Sequence, residues 1–293
     1  MVRKIKFDGK HWVGKKYYND PMILRDYETV FQQARYNLGT GGMIAIPNAR
    51  PDDMRYEEFF DRVKEKTILA KGSAFHYEPL DIYVLKAQEI TLQDFWRQSL
   101  TYLFYNLPPH VNISGNSNSE LLETAQGLNA ISGLVGPSCI NGILEEIINE
   151  SSEKKVYFLN NIISQLDFFI GYSGSAALKL TNRKSISFYR DLIGERGFTY
   201  FKNDEDIHTI GITAVSGGHR TPHKARYLGF KPTIGTSNIT IPEPRTDYFM
   251  DDLRRSLRNA REEDCILRPI IGETLWHIAS MGVADKVRKI LNN

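Results

Sequence analysis

Cysteine is almost missing from this sequence. Cys139 and Cys265 stand far apart, flanked by no CxxC or His-rich spacing, which excludes a disulfide-stapled scaffold and argues against a structural zinc site. No stretch approaches the ~18 consecutive apolar residues of a membrane-spanning helix, and Met1 to Asp8 lacks the apolar run of a signal peptide. Reduced thiols and no membrane segment predict a cytoplasmic protein. Charge of one sign is lacking too: 37 Lys and Arg against 35 Asp and Glu leave a formal net charge of +2, too small a field to gather nucleic acid by itself.

What is present is globular material. Apolar residues at 41% and charged residues at 25% suffice for a continuous core. The 293 residues are many for one compact unit, yet barrels of alternating strands and helices reach ~250 residues as single domains. Val2–Phe7 reads as a strand ended by Asp8-Gly9. A helix runs from Pro21 through Tyr27, Phe31 and Ala34 to a stop at Gly39, and Met43–Ile46 is a strand stopped by Pro47. Further along come a helix over Asp53–Leu69, a strand over Asp81–Ile90, a loop over Asn112–Ser119, a helix over Glu120–Leu128 and a strand over Ala130–Val135. Helices over Ile140–Ile148 and Tyr157–Gln165, a strand over Leu166–Ile170, a helix over Ser175–Ile193, a strand over Ile210–Val215 and a charged helix over Asp247–Glu263 complete the reading. Such alternation predicts an α/β barrel or doubly wound sheet, with chemistry just past the C-terminal strand ends.

The strand-end segments, in order, resemble motifs of the polymerase and histidinol phosphatase (PHP) family. Phe7-Asp8-Gly9-Lys10-His11-Trp12 is similar to the opening Asp-x-His-x-His. In one register Asp8 matches and Lys10 and Trp12 take the histidine positions; shifted by one residue, Gly9 and His11 stand there. Ile44-Ala45-Ile46-Pro47-Asn48-Ala49 resembles Ile-Thr-Asp-His, with Asn48 and Ala49 for the ligands. Val84–Ile90 resembles the strand of the bridging glutamate, matched by Glu89. Leu134-Val135-Gly136-Pro137 resembles the approach to Ala-His-Pro, with Gly136 for the histidine. Val215-Ser216-Gly217-Gly218-His219-Arg220, followed by Leu228-Gly229, resembles Gly-Ser-Asp-Ala-His, with Gly217 for the aspartate and His219 matching.

The resemblance implies a distorted (β/α)7-type barrel over residues 1–243, with residues 244–293 as a small C-terminal helical extension packed on it. It also implies a metal-dependent phosphoesterase ancestry with most ligands replaced. Two-metal phosphate chemistry needs several carboxylate and imidazole ligands around closely spaced cations. Glu89, His219 and His11 are a remnant set for at most one divalent ion, Mn, Zn or Fe. Lys10, Arg220 and His223 are candidate phosphate contacts, but Lys10 also opposes a cation by Coulomb repulsion and could pair with Glu89. The expectation is a pseudoenzyme.

Each candidate has a plainer reading beside it. His219, Arg220 and His223 also suit a solvated basic loop, and a salt bridge from Glu89 to Lys10 or Arg50 stands beside its ligand role. His76 and His208 match nothing and read as surface residues. Trp96, Tyr102, Phe104 and Tyr105 lack the interleaved cations of a base-stacking platform and read as core. Arg254, Arg255, Arg258 and Arg261 form a basic stripe bracketed by acids, by default a solvated helix face. Gly272–Leu291 resembles part of one ankyrin repeat, but no second copy is visible.

Three functions remain open. The first is a degenerate PHP-like binding or scaffolding module beside a partner such as an ATPase or nucleic-acid enzyme. The second is a residual one-metal phosphoesterase, and the third a nucleic-acid binder using the arginine stripe and the Lys-rich N-terminus.

Overall fold

The computed structural model describes residues 3–9, 27–48, 58, 60–61, 68–69, 73–93, 99–108, 111–135, 157, 160–173, 186–187, 189–190, 200–202, 206–208, 210–215, 234–241 and 248–268. Strand β1 (Arg3–Asp8) opens the chain, with Ile5 and Phe7 buried and Lys4 exposed. Helix α1 (Tyr27–Leu38) lays Phe31, Ala34 and Leu38 against Ile44 and Ile46 of β2 (Gly42–Asn48). The chain reverses between them on Gly39 and Gly41, at φ +83° and +68°, where a side chain would be strained.

Pro47 does not end β2 as expected. Strand β1 pairs with β2 at Met43 and Ile44, so Pro47 lies beyond that ladder, where its missing N–H breaks no bond to β1. The helix expected over Asp53–Leu69 is helical at Glu58, Phe60 and Asp61, but Ile68–Leu69 form β3, antiparallel to β4 (Ala74–Tyr77). A short apolar run fits either periodicity, and the neighbouring strand decides it.

Strand β5 (Ile82–Gln93) has β2 along one edge and, on the other, β4 followed by β6 (Ser99–Tyr105). Strand β6 carried no strand signal, because its alternation is apolar on both faces: Leu103 and Tyr105 enter one core cluster, Tyr102 and Phe104 another. It runs antiparallel to β5 and to β7 (Ile131–Val135), so the sheet is mixed where strict alternation of strand and helix was expected. Helix α2 (Asn118–Gly127) starts earlier than expected because Ser117 caps it, its hydroxyl accepting from Glu120 N at 3.2 Å.

Strands β8 (Phe168–Ser173) and β11 (Gly211–Val215) extend the sheet in parallel, while β9 (Tyr200–Lys202) and β10 (Asp206–His208) pair separately. Strand β12 (Ile234–Ile241) lies antiparallel to β1. The C-terminal region is helical over α3 (Phe249–Asn259) and then returns as β13 (Cys265–Arg268), antiparallel to β12. The sheet path is β11-β8-β7-β6-β5-β2-β1-β12-β13. Its ends meet where Ala214 N donates to Ser237 Oγ at 2.7 Å and the Cys265 thiol approaches Ile212 O at 3.5 Å. The result is a distorted α/β barrel.

Helix α3 contributes Phe249, Met250, Leu253 and Leu257 to the interior cluster. Its arginine stripe is a solvated face only in part: Arg255 and Arg261 are exposed, whereas Arg254 and Arg258 turn inward. Arg254 donates to Asn129 Oδ1 at 2.6 Å and to the Asn129 and Ala130 carbonyls at 2.8 and 2.9 Å, and Arg258 turns onto Asp167. Arg255 stays exposed on Asp252, 3.2 Å away. His76 is likewise not a surface residue: it is buried, 2.8 Å from Asp81 Oδ1, and its ring stacks on Tyr83 at 4.5 Å. No helix among the described residues is long and apolar enough to cross a membrane.

Candidate functional site

Strands β1, β2, β5, β7, β8 and β11 run in one direction, so their C-terminal ends share one rim of the barrel. Strand alternation sorts the residues below that rim. Ile5, Phe7, Met43, Ala45, Leu85, Ala87, Leu103, Tyr105, Ile131, Phe168, Ile170 and Val215 belong to the interior cluster, an apolar and aromatic filling.

Position 9 faces this filling. A Cβ on Gly9 would lie 2.8 Å from the Tyr105 hydroxyl, 3.0 Å from Phe7 Cε1 and 3.3 Å from Val215 Cγ1. The Tyr105 hydroxyl donates to Gly9 O at 2.6 Å. Its ring meets Phe7 edge-on at 5.9 Å and stacks on Phe168 at 5.5 Å with 4° between planes. Burial pushes the Tyr105 phenol well above its ordinary range, and the negative charge of Asp8 pushes it further the same way.

Phe7 and Gly9 point inward, and Asp8 between them alternates to the other face. Asp8 is buried at 2% exposure, paired in register with Ile44 of the outward row that packs on α1.

Glu89 follows Ala87 on the interior parity of β5 and is partly buried, opposite Leu103 of β6. It is an acid at the top of an otherwise apolar row. Its neighbour Gln88 faces outward and clamps the ascending loop, accepting from Ile113 N at 2.9 Å and donating to Ile113 O at 3.3 Å. That clamp and the Tyr105 bond carried no sequence signal beyond an amide in a strand and an aromatic read as core. The core reading holds for Tyr102, Phe104 and Tyr105, all fully buried.

His11, His219, Lys10, Arg220 and His223 lie outside the described residues, as do Arg50, Ala49, Gly136, Gly217, Trp96 and the ankyrin-like segment. Asn48 is described: it is buried at the end of β2, in register with Gln88. Among the described residues, no group of three or more His, Cys, Asp or Glu side chains is placed to hold a metal ion. Position 9 offers no side-chain ligand, its carbonyl is taken by Tyr105, and the phenol hydroxyl fills the space beside it, so this strand end does not fit a metal-ligating side chain.

No family model and no curated protein matches this chain. Three solved structures are similar in outline at low identity. One is a two-domain protein from Bacteroides vulgatus containing a predicted PHP-like metal-dependent phosphoesterase, at 11% identity and a TM-score of 0.49, over 92% of this chain and 65% of that one. Another is the lesion-specific endonuclease PfuEndoQ from Pyrococcus furiosus, at 10% identity and 0.42, over 91% and 58%. The third is a protein from Bifidobacterium adolescentis assigned as a metal-dependent phosphoesterase, at 12% identity and 0.43, over 87% and 96%. This chain thus spans less than two thirds of the first two.

Proposed function

We propose that this chain is a non-catalytic binding or scaffolding module built on a barrel of PHP type. The carrying observation is the filled position 9: a glycine whose side-chain direction meets the Tyr105 hydroxyl at 2.8 Å leaves no room for an imidazole at that strand end. Two-metal ester hydrolysis depends on a dense ligand shell around open coordination positions, and an aromatic filling supplies neither. By analogy with the motifs it resembles, the partner is a protein such as an ATPase or nucleic-acid enzyme.

The test is metal content after incubation with manganese, zinc and iron and extensive desalting. Retention below about a tenth of an ion per chain supports the module, and one or more tightly held ions sinks it. Affinity purification of the tagged full chain from its native cells should then recover one stoichiometric protein partner.

Glu89 favours a second reading, a residual phosphoesterase with one divalent ion held by Glu89, His219 and His11 and phosphate held by Lys10, Arg220 or His223. A carboxylate on the interior parity of β5, at the rim, is where such a ligand belongs. Under this reading Glu89→Ala abolishes metal-dependent turnover and leaves the far-ultraviolet dichroism unchanged; activity that survives the change refutes the assignment. The nucleic-acid reading is weaker, since Arg254 and Arg258 are spent on internal contacts.

A further inference from the structure

We infer that Tyr105 acts as a clasp across the barrel interior, tying β6 to the end of β1 at the place where the PHP-like motifs, in the register shifted by one residue, would put a metal ligand, and that the barrel therefore closes without a cation. The inference rests on the reading of the chain as a non-catalytic module and deepens it, from the loss of ligands to what holds the strand ends instead.

The geometry has three parts. The Tyr105 hydroxyl donates to Gly9 O at 2.6 Å, linking residues that are 96 apart in sequence. In the sheet path β6 and β1 are separated by β5 and β2, so this bond crosses the interior and is no part of a ladder between neighbours. The ring is held by Phe7 edge-on and by Phe168 face-on, so the hydroxyl arrives already oriented. A cation centre would join these strand ends through side chains on several strands; here one phenol does so through a backbone carbonyl. Gly9 is required by the same contact, since a methyl group there would press on the donor oxygen at 2.8 Å.

The bond is buried, so removing the donor leaves a carbonyl with no solvent to replace it. Tyr105→Phe keeps the ring and deletes the hydroxyl alone. The experiment is urea unfolding of the full chain, wild type, Tyr105→Phe, Gly9→Ala and the double variant, each in EDTA and again in excess manganese or zinc. The expected result is a wild-type midpoint that is the same in both conditions and a folding constant about tenfold lower in Tyr105→Phe in both. Gly9→Ala should be more damaging in the wild type than in the Tyr105→Phe background, because the methyl clashes with an oxygen that this background lacks.

A Tyr105→Phe midpoint equal to wild type, or additive effects in the double variant, overturns the clasp even if no metal is retained. A wild-type midpoint that falls on chelation overturns the cation-free closure and, with it, the module reading.

Discussion

Arg258 Nε donates to Asp167 Oδ1 at 2.7 Å, joining helix α3 to the residue that precedes β8. Asp167 is only 5% exposed at its side chain and accepts a second bond from Ser132 N at 2.8 Å, while Arg254 Nε stands 3.6 Å from its other oxygen. One buried carboxylate thus satisfies a backbone donor of β7 and anchors the helix that fills the barrel's end. Asp167→Ala leaves guanidinium groups and an amide facing an apolar hole. It is expected to destabilise the fold by about 2–3 kcal/mol, at or just below the lower end of the range of about 3–5 kcal/mol for broken buried pairs, because the Arg258 side chain is 35% exposed. Arg258→Ala should cost about half as much, and urea midpoints of the two variants check the order.

The same residues show what could be read in advance. Strands β1, β2, β5, β7, β8 and β11 were legible from short apolar runs stopped by Gly or turn residues, as at Gly211–Val215, and α1 from its spacing and Gly39; the other seven of the thirteen described strands were not. Strand β6 was not, since a strand buried on both faces loses its alternation. The arginine stripe looked solvated because the sequence cannot show that Asn129, in the left-handed region at φ 56°, presents its carbonyl to Arg254 from 125 positions away. The candidate site was half legible: that Gly9 and Asn48 bring neither imidazole nor carboxylate is visible in the sequence, whereas Tyr105, whose hydroxyl lies against position 9, is a long-range partner with no local signal.

Gly211 should tolerate no side chain. A Cβ there would lie 1.7 Å from the Leu257 carbonyl oxygen, and that oxygen belongs to the backbone of α3, which no rotamer change can move. Leu253 and Leu257 of the same helix are fully buried in the interior cluster, so displacing α3 uncovers core. Gly211→Ala is expected to destabilise by at least about 2–3 kcal/mol, or to give a barrel with α3 undocked that binds a hydrophobic dye. A melting temperature within about 2 °C of wild type, on the order of a few tenths of a kcal/mol, would refute the tight packing.

The barrel's seam offers a residue-specific readout. Ala214 N donates to the buried Ser237 hydroxyl at 2.7 Å, and Ile212 N donates to Ala260 O at 3.0 Å, so β11 is held there by a side chain and a helix end. Ser237→Ala leaves the Ala214 amide buried without that acceptor, with an expected loss of about 1–3 kcal/mol. Hydrogen exchange should accelerate first at Ala214, with the Thr213 region following and the amides of β2 and β5 unchanged. Uniform acceleration across the sheet would mean that the seam opens only with global unfolding.

The fold should fail at alkaline pH before it fails at moderately acid pH. Burial pushes the Cys265 thiol up to about 12, with the Ser237 contact opposing and the Asp264 and Glu262 charges adding to the rise. Burial likewise raises the phenols of Tyr105, Tyr172 and Tyr189. A group whose folded value exceeds its unfolded value stabilises fully below the unfolded value, ~8.5 for cysteine and ~10 for tyrosine, and that stabilisation is lost as pH rises toward the folded value. On the acid side Glu262 has the opposite sign. The Arg190 bonds at 3.0 and 2.8 Å hold its carboxyl below the usual range, against some desolvation and with help from the Tyr172 hydroxyl. Its contribution is present above the unfolded value near ~4.3 and fades as pH falls through the folded one, but with Arg190 66% exposed it is small. The urea midpoint should therefore decline between about pH 9 and 12, and Cys265→Ser should move the onset of that decline upward toward the tyrosine range. An onset that Cys265→Ser leaves unmoved would show that the thiol ionises in the folded state as readily as in the unfolded chain.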